Sequence, residues 1–155
     1  MSEVDRIADQ LERAHSGNAW HGPSVSEVLW DVDAATAAEH PIASAHSIWE
    51  IVLHVALWTD VVRQRLAGEA VVDPPAEEDW SAAIDESAAS WSATIDRLDR
   101  VTNRLQTAIV ALDDRHLDEI VPGKGISKYL MLHGLVQHNL YHAGQIVLLK
   151  EATQS

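Results

Sequence analysis

Apolar residues return every three or four positions along most of this chain, and the two-residue alternation of a half-buried strand is hard to find, so the sequence predicts an all-α fold. The first segment, from Glu3 to His15, carries Val4, Ile7, Ala8 and Leu11 on one stripe and stops at Gly17. Ser24-Val25-Ser26-Glu27 has the form of a capping box and opens a helix with Val25, Val28, Leu29 and Val32 on its inner face, ending before Pro41. Ser47-Ile48-Trp49-Glu50 repeats the pattern and starts a helix of about twenty residues that closes at Gly68. From Trp80 to Leu112, the residues Ile84, Trp91, Ile95, Leu98, Leu105 and Ile109 keep the spacing of a bundle helix with one buried face. After a polar stretch from Asp113 to Gly125, Ser127 is the N-cap of a last helix over Tyr129 to Glu151. The sum is a four-helix bundle with an extra N-terminal helix.

The acidic stretch 71–78 holds Pro74 and Pro75, which prevent helix continuation, so a long solvent-facing crossover is expected there. A chain of 155 residues, 46% hydrophobic, suffices for one core and is short for two, so a single domain over 1–155 is expected. Eleven basic against twenty-four acidic residues give a net charge of −13 without a basic run, which argues against nucleic acid and anionic membranes as partners. No cysteine is present, so disulfides, thiolate ligands and a cysteine nucleophile are excluded. The N-terminus lacks a basic segment followed by an apolar run, and no stretch approaches a membrane span, so a cytoplasmic location is the expectation.

Within this helical frame the chemistry concentrates in three histidines. His138 and His142 are four apart, and on a helix they project from one face a turn apart. Leu135, Leu140 and Ile146 flank them, and an unpaired imidazole in such surroundings costs on the order of 1–3 kcal/mol. His54, in the middle of another apolar helix, is the natural third donor of an open site whose fourth position is left to water or substrate. Imidazole suits zinc, nickel, iron and copper alike. The residue after His138 is Asn139, so the general base of a His-Glu-x-x-His peptidase is missing. Position 135 is Leu, which departs from the Glu-x-x-His pairs of di-iron bundles.

Other residues are weaker candidates. His133 lies about 140° around the helix from His138 and reads as structural. His15, His40 and His116 read as surface groups, while His21 in a turn and His46 before a helix start could reach the rim of a bundle cavity. Tyr141 and Gln145 could orient a ligand or substrate, and Glu50, one turn before His54, is a candidate acceptor for its N–H. Trp20, Trp49 and Trp58 are candidates for an apolar pocket wall. Pro122-Gly123-Lys124-Gly125 lacks the frame of a phosphate loop and reads as a turn.

The segments from Ser47 to His54 and from His138 to Ile146 resemble the DinB/YfiT-like superfamily of metalloenzymes, and the resemblance extends over nearly the whole chain. It implies a four-helix bundle binding a divalent metal, zinc or nickel, through one histidine on the second bundle helix and a His-x-x-x-His pair on the last. Those positions are His54, His138 and His142 here, with none missing. The resemblance further implies S-transfer with a low-molecular-weight thiol such as bacillithiol or mycothiol, or a mycothiol-dependent isomerisation, and a homodimer. The expectation is therefore a metal-dependent S-transferase acting on small electrophiles. Its rivals are a hydrolase using bound water, and a non-catalytic metal-holding stress or interaction protein whose site His21 or His46 would close.

Overall fold

The computed structural model describes residues 1–154, which form seven α-helices and no sheet. Four are long: α1 (Glu3–Ser16), α4 (Ile48–Leu66), α6 (Ala88–Val110) and α7 (Lys128–Thr153). Three are short: α2 (Val25–Leu29), α3 (Ala34–Ala38) and α5 (Ala76–Asp79). Around the bundle α1 packs on α6, α6 on α4, α4 on α7 and α7 on α1. The N-terminal helix, expected as an addition to the four, is thus one of them, and the short helices are the additions. Among the described residues no helix is long and apolar enough to cross a membrane.

Side-chain caps fix where the helices begin. Ser2 with Asp5, Ser24 with Glu27 and Ser47 with Glu50 form reciprocal capping boxes, and Ser127 accepts from the Leu130 N–H. The two Ser-x-x-Glu signals read from sequence therefore mark real helix starts. Gly68, at φ +91°, supplies the left-handed residue that ends α4.

Two expected helices are shorter than their apolar pattern suggested. The helix opening at Ser24 breaks near Val32, where the Asp33 carboxylate accepts from the Thr36 N–H and starts α3 anew. Trp91 Nε1 donates to the Val32 carbonyl at 2.8 Å, so the break leaves that buried acceptor satisfied. The helix expected from Trp80 begins instead at Ala88. Asp85 accepts from the Ser87 N–H and the Ser90 hydroxyl, and Ser87 caps Ser90, so local side-chain bonds outcompete helix over 81–87. Ile84 consequently stands fully exposed instead of facing the core.

The interior divides into two apolar clusters. One gathers Trp49, Val52, Val55, Leu98, Ala143 and Ile146; the other gathers Ile7, Leu11, Leu66, Leu105, Ile109, Leu132 and Leu135. On α7, Leu135 belongs to one cluster and Ala143 to the other, and His138 and His142 lie in the gap between. The crossover faces solvent over most of 71–78, as expected, and it is also fastened down. Buried Arg65 donates to the Val71 carbonyl at 2.9 Å and to Asp73 at 2.7 Å, and Lys124 grips the same carboxylate.

Replacing Ser47 with Ala removes one side of the cap on α4. It should lower unfolding free energy by about 1 kcal/mol in urea denaturation, with little change in the dependence on urea.

Candidate metal centre

Three imidazoles meet between α4 and α7. Nε2 of His54 lies 3.0 Å from Nε2 of His138, and the His142 ring centroid is 4.8 Å from that of His54 and 4.5 Å from that of His138. One candidate ligand atom from each residue lies within 4.8 Å of the others, a spacing that one metal ion could satisfy. His54 and His142 are buried and His138 is half-buried.

What organises the rings is a set of oxygen acceptors behind them, supplied by three residues. His54 Nδ1 donates to the Asp79 carbonyl at 3.0 Å, and the Asp79 carboxylate lies 2.9 Å from the same nitrogen. His138 Nδ1 is 3.1 Å from Asn139 Oδ1, and His142 Nδ1 is 2.6 Å from Gln145 Oε1. The Asp79 carbonyl can only accept, which places the His54 proton on Nδ1, and with the amide oxygens of Asn139 and Gln145 turned toward the other two rings their protons lie on Nδ1 as well. Every Nε2 is then a bare lone pair. Two such lone pairs facing each other at 3.0 Å repel unless a cation lies between them, so the donor set fits a divalent ion. Among the described residues the cluster holds three protein donors and no fourth.

The structure sorts the other candidates. Gln145 stands directly behind His142, in the orienting place that its helical spacing allowed. Tyr141 is exposed, with its ring edge-on to His142 at 5.2 Å. His46 lies at the rim: its ring stacks on Trp80 at 3.6 Å and its Nδ1 bonds Glu50. His21 is exposed in the turn after α1 and outside the cluster. Glu50 does not hold His54. Its carboxylate is engaged by the Ser47 N–H at 2.8 Å and by His46, because the capping box draws it toward the helix start.

Of the candidate pocket tryptophans, Trp20 is fully exposed and Trp49 is buried, donating to Thr94. Trp58 does approach the site, its Nε1 donating to the Asp79 carboxylate at 2.6 Å. His15 is buried and pairs with Asp99 at 2.9 Å, so the surface reading fails there; α1 packs on α6 and brings the carboxylate to it. His40 and His116 bond the Ala45 carbonyl and Glu119 respectively at the surface. His133 packs against Tyr129, away from the trio.

Two residues at the site were invisible to sequence reasoning, Asp79 and Trp80. The Trp80 indole lies parallel to the His54 ring at 3.9 Å. Asp79 ends an acidic, proline-led crossover that has no apolar periodicity to read, and Trp80, expected as the first residue of the next long helix, lies outside it and turns to His54. Beside the site a cleft of about 340 Å³ opens between the 42–46 loop and α7, with Ile42, Ile51, Leu148 and Leu149 as its apolar walls. Gln145 and His46 form its polar end.

The DinB superfamily model matches residues 19–146. Among solved structures, the crystal structure of a conserved protein from Enterococcus faecalis superposes with a TM-score of 0.72 at 17% identity, covering 98% of this chain and 97% of that one. At that identity the likeness speaks to the fold alone. A search of the curated proteins finds no match.

Burial holds the His138 imidazole below its ordinary value, and burial followed by the neighbouring His138 pushes His142 down to about 4. Both rings are therefore neutral ligands near pH 7. In the metal-free chain the unfolded state takes up these protons from pH 6.5 downward, while the folded state resists until lower pH. Stability that is complete above 6.5 should fall as the pH drops toward 4. Thermal melts across that window should show the loss, and His142→Leu should flatten it.

Proposed function

The chain belongs to the DinB superfamily, and from that premise we propose that it is a divalent-metal-dependent enzyme, a transferase that joins a low-molecular-weight thiol to a small electrophile. The observation that carries the reading is one candidate ligand atom each from His54, His138 and His142 within 4.8 Å of the others, with no fourth protein donor among the described residues. Zinc or nickel suits such a neutral nitrogen set. His54, His138 and His142 would hold the ion, and when bound it would supply the positive charge that lets an incoming thiol lose its proton near neutral pH.

The chain's own groups do the rest. Asp79, Asn139 and Gln145 keep the ring protons on the outer nitrogens, so the three donors stay neutral and aimed inward. His46 is occupied by Glu50 and lies behind Trp80, which leaves the ion's remaining position to solute and supports a working site over a purely structural one. With no cysteine anywhere in the chain, a sulfur nucleophile has to arrive as a cosubstrate. The cleft beside Gln145, with aliphatic walls and one polar end, suits the body of a small apolar electrophile. The acidic surface of net charge −13 accords with a small-molecule reaction and with neither nucleic acid nor anionic membrane as partner.

Zinc- or nickel-loaded protein, purified without a histidine tag, should consume a small alkylating electrophile only when a thiol is supplied. His138→Ala should lose both metal uptake and at least about two orders of magnitude of turnover. Undiminished turnover without any thiol would favour the hydrolytic reading, in which water takes the cosubstrate's place.

A further inference from the structure

His54 differs from its two partners in what orients it. Asn139 and Gln145 belong to the same helix as the rings they hold, whereas the acceptor for His54 comes from the crossover, twenty-five residues on. We propose that Asp79 and Trp80 are the positioning residues of His54 and that the crossover carrying them is a fixed part of the metal site. The proposal rests on the reading that the three histidines hold a divalent ion.

The torsion that sets an imidazole's plane is broad, so packing on the helix alone leaves the ring two alternative orientations. A half-turn about it exchanges Nδ1 with Cδ2 and Nε2 with Cε1, which would remove the donor from the site. The bond to Asp79 opposes that half-turn, since only a nitrogen can donate to it. The Trp80 indole opposes smaller rotations. It lies within 5° of parallel to His54 on one face and within 3° of parallel to His46 on the other, so three flat rings form one stack.

Asp79 is itself held in place by Trp58, whose Nε1 donates to the carboxylate from α4. Further back, Asp73 is gripped by Arg65 and Lys124, and the Arg65 guanidinium also holds the Val71 carbonyl. The chain from 71 to 80 is thus secured at both ends, and its far end closes on His54. A carboxylate 2.9 Å from Nδ1 also makes the opposite nitrogen a better electron donor to an ion.

The test uses the full chain without a tag, stripped of metal, with zinc as the probe and a chromophoric chelator as competitor. Asp79→Ala, which leaves the main-chain acceptor but removes the carboxylate 2.9 Å from Nδ1 and its hold on Trp58, and Trp80→Ala should each weaken zinc binding roughly tenfold to a hundredfold, the range typical of lost groups that orient a ligand. Trp80→Phe, which keeps a flat face for stacking, should bind close to wild type, a rescue that general loss of structure would not give. Nitrogen-15 NMR of the metal-free wild type above neutral pH should find the His54 proton on Nδ1. A proton on Nε2, or unchanged zinc affinity in both alanine variants, would overturn the proposal. Failure of the wild type to take up zinc at all would instead count against the metal reading, while the His54 tautomer, measured without metal, still decides this one.

Discussion

The structure turns on three N–H···O contacts made at the backs of three histidine rings. Without them a neutral imidazole can carry its proton on either nitrogen, and three clustered rings would admit eight combinations of tautomer. With Asp79, Asn139 and Gln145 in place, one combination survives, the one that gathers three lone pairs. That selection makes a cluster of histidines into a cluster of ligands.

The bundle supplies the rigidity such a cluster needs. His138 and His142 fall between two apolar clusters on α7, so the polar layer is clamped above and below by side chains such as Leu135 and Ile146. Displacing the rings would disturb both clusters, and close-packed cores resist small shifts. Buried cations in the periphery follow the same economy of partners: Arg65 with Asp73, and Lys128 with Glu119 at 2.7 Å.

Much of this was legible in the residues, because helical periodicity carries both the fold and the site. The caps at Ser24, Ser47 and Ser127 marked true helix starts, and the four-residue spacing of His138 and His142 placed both rings on one face. Periodicity fails where tertiary contacts intervene. The apolar run through Ile84 promised a helix that Asp85 and Ser87 break, and His15 looked peripheral until α1 took its place against Asp99 on α6. Glu50 had the right spacing to support His54, but the same spacing made it the partner of Ser47 in the capping box. Asp79 lies in an aperiodic segment and Trp80 was read as the start of the next helix, and only the folded path of the crossover brings them to the site.

The central claim concerns coordination number and donor type, which X-ray absorption reads directly on protein loaded with one equivalent of zinc. The account predicts three imidazole nitrogens at about 2.0–2.1 Å and one further light atom from solvent or cosubstrate. Multiple scattering from fewer than three imidazoles, or a shell completed by a fourth protein ligand, would contradict it.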